Sequence, residues 1–220
     1  MKGYLCGLLA LIGVVWTQDR SPVWFGLRGG INWGQYRNVP GDEPPSRSYW
    51  GAGFHGGIAV QQSLGGIQRW AVQGELTLTQ RRSTDRNLLY DYRYTLWGID
   101  LTVLGVWRWL RKFEGFFLEF GPSSTLLLTG RYWYKDNLTG QTQTRRVEFG
   151  RGERRDVRRG EIALSAGVGA GYPVGPGYLV FGLRFWHGLN NLAGGAFKSW
   201  HSYGVVTTLT YWYDPQARDK

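Results

Sequence analysis

The strongest constraint on this chain is a two-residue alternation of apolar side chains with polar or small ones. It recurs in eight segments of about ten residues, the length of a transmembrane β-strand. In the first segment, VWFGLRGGINW, Phe25 and Leu27 are apolar, whereas Gly26 and Arg28 are small or polar. A period of two is that of a β-strand, whose successive side chains point to opposite faces. The sequence therefore predicts an all-β protein.

The connections between the segments fall into two classes that alternate along the chain. Three are short, namely SLGG, RKFEG and VGPG, and the others are long and polar: QYRNVPGDEPPSRS, RRSTDRNLLYDY, the stretch 131–160 and NNLAGGAFKS. Outer-membrane barrels have short periplasmic turns and longer outer loops. We therefore predict an eight-stranded antiparallel up-and-down transmembrane β-barrel over residues 19–213, located in the outer membrane, with short periplasmic turns and long outer loops.

The N-terminal residues predict export. Lys2 precedes an apolar run over residues 4–16, and polar residues follow it. The run is shorter than the ~20 residues that a membrane-spanning helix needs, and the pattern is that of a secretory signal peptide, which we assign to residues 1–18. Cys6 is the one cysteine of the sequence and lies inside this segment, so we expect no thiol in the mature chain. Residues 214–220 form a charged C-terminal tail.

A soluble ligand-binding barrel of the lipocalin type is the alternative that shares this alternation, because it also has eight antiparallel strands. The interior of such a barrel is apolar and its exterior is polar. Here the polar face carries too many charges for an apolar ligand cavity: Arg28, Glu75, Asp100, Glu119 and Arg184. The apolar face is then the one that contacts lipid.

These charged residues form the first candidate site. The interior of an eight-stranded barrel is just wide enough for side chains, and unpaired charges there are costly. We expect a mutually paired network made of Arg28, His55, Glu75, Asp100, Glu119 and Arg184. Its structural interpretation is a plug that holds the barrel closed. Its functional alternative is a path for protons or small ions.

The stretch AGVGAGYPVGPGY contains glycines that recur with period two. Phosphate-binding loops have irregularly spaced glycines followed by Lys and Ser or Thr, which this stretch lacks. We interpret three of its residues as packing glycines: Gly167, Gly169 and Gly171. They would make room in the lumen for Arg184 and Trp186 of the neighbouring strand.

A second candidate site is that of an outer-membrane enzyme. Some eight-stranded outer-membrane barrels are lipid A deacylases or acyltransferases that use Ser and His near the outer leaflet. In this chain His187, His201 and Ser202 lie near the outer ends of the last two segments. Neighbours on a strand point to opposite faces, so His201 and Ser202 do not pair directly.

The third candidate is the stretch 131–160, which holds nine Lys or Arg against four Asp or Glu. Arginine binds phosphate in bidentate fashion, and an outer loop faces lipopolysaccharide. The predicted polyanion-binding residues are Arg145, Arg146, Arg151, Arg154, Arg155, Arg158 and Arg159. A solvated connection is the alternative, because runs of charge are often disordered. The signal peptide argues against nucleic acid as the polyanion.

Four stretches carry a resemblance to a known family. GLRGGINW, FFLEFGPSSTLLL, VGAGYPV and LRFWHGLNNL resemble the first, fifth, sixth and seventh strands of the PorT-like outer-membrane β-barrel proteins of Bacteroidota. The resemblance implies an eight-stranded barrel in the outer membrane and a connection with a protein-secretion apparatus. This chain departs from the family in its charged tail and its basic third outer loop.

The function predicted from these features is that of a non-enzymatic integral outer-membrane barrel with a closed lumen, which serves envelope structure, surface interaction or a protein-secretion apparatus. A lipid A modifying enzyme and a small-solute channel are the alternatives. We expect no metal and no cofactor. The expected partners are outer-membrane lipid and lipopolysaccharide, together with envelope or secretion-system proteins, and not nucleic acid.

Overall fold

The computed structural model describes six stretches of the chain: 23–39, 47–64, 69–110, 114–150, 156–193 and 199–213. The predicted signal peptide and C-terminal tail lie outside them. The described strands are β1 (Val23–Val39), β2 (Arg47–Leu64), β3 (Trp70–Arg86), β4 (Tyr90–Arg108), β5 (Gly115–Asp136), β6 (Thr142–Arg146), β7 (Gly160–Val174), β8 (Gly177–Gly188) and β9 (Ser199–Tyr213). Within these stretches, no helix has the length and apolar character needed to cross a membrane.

Eight of the nine strands close into a ring. β1 to β5 pair in chain order, β5 pairs with β7, and β7 to β9 continue in order until β9 pairs with β1. All of these pairings are antiparallel. The short strand β6 lies outside the ring and pairs with the far end of β5. The predicted eight-stranded antiparallel barrel is therefore confirmed, with one additional strand.

The strands have the predicted apolar and polar faces. On β1, Leu27 is 70% exposed, whereas its neighbour Arg28 is 5% exposed. On β8, Phe181 and Leu183 are exposed, and Arg184 is buried. A barrel that is apolar outside and polar inside reverses the arrangement of a soluble barrel. It matches a lipid environment, in which apolar side chains cover the outside of the strands.

The interior is filled by side chains in layers. An apolar cluster that includes Trp24, Phe117 and Trp212 lies toward the end where the turns are short. A second cluster, which we call the outer apolar cluster and which includes Leu96 and Val157, lies toward the end where the connections are long. Most of the paired charged side chains of the lumen, among them Arg28, Glu75 and Arg81, occupy the levels between these two clusters.

The strands extend well beyond the long-connection end of the predicted segments. The prediction of a long polar loop over 81–92 is wrong, because β3 continues to Arg86 and β4 begins at Tyr90. Part of the predicted third outer loop is also strand, since β5 runs to Asp136 and β6 (Thr142–Arg146) returns along it. Composition suggested loops because these residues are polar, but their backbones pair with a neighbouring strand as regularly as those in the membrane.

Glycines make room for large side chains inside the barrel, but not for the predicted ones. A Cβ on Gly169 would lie 2.2 Å from Cζ of Phe117, and one on Gly167 would lie 2.8 Å from Oε1 of Glu119. Both side chains come from β5, whereas the prediction named Arg184 and Trp186 of β8. Trp186 instead occupies the space over a glycine of β9, since a Cβ on Gly204 would lie 2.1 Å from its ring.

Candidate functional site

Four of the predicted lumen residues meet in one layer, which we call the inner charge layer: Arg28, Glu75, Glu119 and Arg184. Arg28 on β1 donates to the Glu75 carboxylate of β3. Arg184 on β8 donates to both oxygens of Glu75, each at 2.8 Å, and its Nε donates to Oε1 of Glu119 on β5 at 2.7 Å. All four side chains are at most 5% exposed. The layer holds two cations and two carboxylates, so its charges balance.

A second layer, which we call the outer charge layer, contains the predicted residue Asp100 together with residues that sequence reasoning missed. Arg81 donates to the Glu161 carboxylate, to Oδ1 of Asp100 at 3.3 Å and to the Thr125 hydroxyl at 2.8 Å. The Ser202 hydroxyl donates to the other oxygen of Glu161. The predicted single network is therefore two layers, and Asp100 belongs to the one without Arg28 or Arg184.

His55, the remaining predicted network residue, is buried in the lumen on β2. Its Nε2 atom has no hydrogen-bond partner among the described residues, so it is not joined to either layer through that atom.

Arg108 is a further buried cation, in the half of the lumen near the short turns. Its guanidinium donates to Oε1 of Gln61 at 2.5 Å and to the Ser63 hydroxyl at 3.3 Å.

The geometry of the inner charge layer ties distant strands of the ring to one another. Glu75 receives donors from β1 and β8, and Arg184 joins that carboxylate to Glu119 on β5. In a barrel interior of low dielectric, buried charges persist only when each is paired and hydrogen-bonded. The layer therefore crosslinks four strands through the middle of the lumen.

The Ser and His residues considered for an enzyme site are separated by the barrel wall. Ser202 is buried in the lumen, where its hydroxyl donates to Glu161. His187 is exposed on the outward face of β8, and His201 lies on the opposite face of β9 from Ser202. A nucleophile and its base must come within about 3 Å of one another. This arrangement does not pair Ser202 with either histidine.

The outer loop arginines take up different positions. Arg145 lies on the same face of the sheet as Tyr132, over whose ring it stacks at 5.0 Å, and it donates to Asp156 at 3.0 Å, while its side chain remains 59% exposed. Arg146 and Arg159 are exposed, and Arg158 is partly buried. The other three predicted loop residues lie outside the described part of the chain: Arg151, Arg154 and Arg155.

Tyrosines line the inward face of the extension made by β4 and β5. Tyr92 stacks on Tyr132 at 5.7 Å between ring centroids, and Tyr94 lies 5.1 Å from the same ring. Tyr132 packs against the outer apolar cluster. Such aromatic pairs add about 0.5–1.5 kcal/mol each beyond the area they bury. They hold the extension together above the membrane.

Two carboxylates beyond the membrane-spanning part of the strands have shifted pKa values. Burial raises the pKa of Asp85, near the end of β3, to about 6. The pKa of Asp136 is lowered, because the backbone amides of Thr139 and Leu138 donate to its carboxylate in the turn after β5. The second effect stabilises the turn that leads into β6.

No group of three or more His, Cys, Asp or Glu side chains suited to a metal ion occurs in the stretches that the structure describes. One pair of lumen residues that sequence reasoning missed, Arg81 and Glu161, does have a signal in the sequence. Glu161 continues the alternation of β7 inward from Ala163, and Arg81 continues that of β3 inward from Thr79. Extending each alternation by one step would have placed both residues in the lumen.

Comparison with known proteins places this architecture in a family. The family model "Outer membrane protein beta-barrel domain" matches residues 16–194. A search of curated proteins found no significant match.

Three solved structures are similar to this chain in fold. Ail, the attachment invasion locus protein of Yersinia pestis, solved with the heparin analogue sucrose octasulfate, is 13% identical with a TM-score of 0.45, and the match covers 87% of this chain and 99% of Ail. Neisserial surface protein A is 12% identical with a TM-score of 0.40, over 85% and 96% of the two chains. The outer membrane protease OmpT of Escherichia coli is 12% identical with a TM-score of 0.39, over 91% and 99%.

These structural likenesses carry no conclusion about what this protein binds or does. The family match covers most of the chain and includes β1 to β8 in whole. The protein is located in the outer membrane, and the chain belongs to the outer membrane protein beta-barrel domain family.

Proposed function

We propose that this protein is a non-enzymatic integral outer-membrane barrel with a closed lumen, and that it acts through the surface it presents outside the cell. The inner charge layer is the observation that carries the proposal. Arg28, Glu75, Glu119 and Arg184 come from four strands and meet in the lumen through direct hydrogen bonds. An aqueous path through the barrel would require these bonds to separate.

The energetics of buried ion pairs support closure. Removing one partner of a buried pair costs about 3–5 kcal/mol, because it leaves an uncompensated charge in a low-dielectric environment. Opening the lumen would break at least two such pairs, Arg184 with Glu75 and Arg184 with Glu119. The apolar clusters above and below the charge layers are further barriers to ions.

Measurement of solute flux tests the closed lumen. The purified, folded barrel is reconstituted into liposomes, and swelling in small sugars and conductance in planar bilayers are compared with those of a general porin. We expect no swelling and no stable conductance steps above those of protein-free membranes. Reproducible unitary conductance from folded protein would contradict the proposal and favour the small-solute channel.

The non-enzymatic part of the proposal is supported by the separation of Ser202 from both histidines across the barrel wall. Mass spectrometry of lipid A from cells with and without the protein tests it. We expect the same lipid A masses in both, whereas an acyl-chain gain or loss that depends on the protein would identify a lipid A modifying enzyme.

A connection with a protein-secretion apparatus is supported by the resemblance of several strands to PorT-like proteins. Photocrosslinking amino acids placed at the two ends of the barrel test this connection in cells, one at Leu138 and one at Leu110. Both side chains are exposed. Crosslinks to envelope proteins of a secretion system would support the connection, and crosslinks to lipid alone would contradict it.

A further inference from the structure

The outward face of the strand extensions is rich in arginine. On β3, the exposed residues Arg82 and Arg86 alternate with Ser83 and Asp85, which are 1% and 3% exposed and face inward. On β5, Arg131 lies on the opposite face from Tyr132, which packs into the outer apolar cluster. Alternation along each strand therefore directs these arginines away from the barrel axis.

Register connects these positions across five strands into one surface. We name its six arginines the outer arginine belt: Arg47, Arg82, Arg86, Arg93, Arg131 and Arg146. All six are exposed. Residues directly opposite one another in a sheet share a face, so the positions are neighbours on the same outward surface.

Two pairs within the belt place like charges directly opposite each other. Arg47 pairs with Arg86 across β2 and β3, and Arg131 pairs with Arg146 across β5 and β6. Directly opposite side chains have Cβ atoms about 5 Å apart, and like charges there are destabilising. The one carboxylate that we find among the outward positions of these described strand ends is Asp91, at 3.9 Å from Arg86. A bound anion would turn this repulsion into attraction.

Aromatic rings hold two of the belt guanidinium groups against the sheet. Arg93 lies over Trp133 at 4.6 Å, and Arg86 lies over Tyr49 at 5.3 Å. Stacking of this kind restricts a long side chain and leaves the edge of the planar guanidinium available to donate hydrogen bonds. These arginines are therefore partly ordered in the unbound protein.

The belt begins at the height of the headgroup region of the outer leaflet. Leu78 on β3 and Leu128 on β5 are exposed on the lipid-facing side. Arg82 and Arg131 follow them by four and three residues, which is about 13 and 10 Å along a strand. With strands tilted by ~40°, Arg82 and Arg131 lie roughly 8–10 Å beyond these leucines, as does Arg146, which is directly opposite Arg131. Phosphate groups at the edge of the hydrocarbon layer lie at a similar height. Arg86 and its partner Arg47 lie four residues beyond Arg82, about 10 Å further from the apolar band.

We propose that the outer arginine belt binds the phosphate groups of lipopolysaccharide in the surrounding outer leaflet. This inference rests on the proposed function as a barrel that acts through its outer surface, and it names the membrane lipid itself as a ligand. Charge complementarity favours this occupant, because the belt is strongly cationic, faces sideways toward lipid and has Arg82, Arg131 and Arg146 at phosphate height. The loop arginines predicted from the sequence overlap with the belt only at Arg146.

The test compares two matched pairs of substitutions in the folded, full barrel. Arg131→Gln with Arg146→Gln removes two belt charges, and Arg158→Gln with Arg159→Gln removes two charges from the same outer region without altering the belt. Binding is measured by titration in detergent micelles with lipid A that carries both phosphates and with lipid A that has been dephosphorylated. Heat-modifiable migration on gels checks that each variant is folded.

We expect the wild type and the Arg158/Arg159 variant to bind phosphorylated lipid A about tenfold more tightly than the dephosphorylated form, since charge-assisted bonds to phosphate are lost. The Arg131/Arg146 variant should lose this preference. It should also melt at a higher temperature than the wild type without lipid A, because the opposed charges are gone. Equal lipid A preference in both folded variants would overturn the proposal. The closed lumen would still be judged separately, by the conductance test.

Discussion

Glu75 is the residue on which the inner charge layer depends, because it accepts hydrogen bonds from both arginines of that layer. Arg184 then carries the connection onward to Glu119. Sequence reasoning could predict these four residues as lumen charges, since each lies on the polar side of an alternating strand. It could not predict which carboxylate meets which arginine, because that depends on register and on the tilt of the barrel.

Replacement of Glu119 tests the balance of the inner charge layer. Glu119→Ala leaves two cations against one carboxylate and should lower the free energy of unfolding by about 3 kcal/mol. Urea unfolding in lipid vesicles measures this change. Ser123→Ala on the same strand is the control, since its weak contact to Ser165 at 3.5 Å should contribute less than about 1 kcal/mol.

The double variant Glu119→Leu with Arg184→Met tests whether the stability lost in Glu119→Ala comes from the unpaired charge of Arg184. Replacing a buried ion pair by apolar residues of similar volume is often neutral, so this variant should recover most of the lost stability if Glu75 and Arg28 remain paired. A Glu119→Ala protein that unfolds like the wild type would show that the carboxylate is hydrated and contributes no pairing.

At the scale of the strand, the lipid-facing halves of the strands follow the prediction from the sequence, and the outer halves do not. The lipid-facing halves of the strands were predictable, because a period of two with apolar side chains such as Leu27 and Phe181 has one interpretation in an exported chain. The outer halves were not predictable from composition. The polar composition of these outer halves is typical of loops. Only the backbone pairing of β3 with β4 shows that they form a sheet, which includes Arg82, Arg86 and Arg93.

Glycine positions give a prediction at this scale. A Cβ on Gly169 of β7 would lie 2.2 Å from the Phe117 ring and 2.5 Å from the Phe181 carbonyl oxygen, so Gly169→Ala requires the backbone to move. Overpacking of this kind costs about 1–3 kcal/mol. Gly74→Ala on β3 is the matched control, because nothing lies within 4 Å of its added Cβ.

Thermal conversion of the fast-migrating folded form to the slow-migrating unfolded form on gels measures both glycine variants. The Gly169→Ala midpoint should fall by several degrees relative to the wild type, and that of Gly74→Ala should not. Equal midpoints for both variants would mean that β5 and β7 adjust to each other without cost.

At the scale of the molecule, the barrel has a lipid-facing band, a lumen crosslinked by two charge layers, and an outer extension with different faces. The inward face of that extension carries packed tyrosines, and its outward face carries the arginine belt. The alternation in the sequence predicted a β-barrel in the outer membrane, and the family match agrees with that prediction. The division of the outer basic residues between two faces depends on the register of β6 against β5, which alternation alone does not specify.

A barrel that acts through its outer surface must have its long-connection end facing the cell exterior. Leu138, 79% exposed in the turn after β5, and Leu110, 49% exposed at the short-turn end, are replaced one at a time by cysteine. Intact Gram-negative cells that produce each variant are treated with a membrane-impermeant maleimide, with the unsubstituted chain as the control. We predict labelling of Leu138→Cys on intact cells and labelling of Leu110→Cys only after the outer membrane is permeabilised. The reverse pattern, or equal labelling of both on intact cells, would contradict the account.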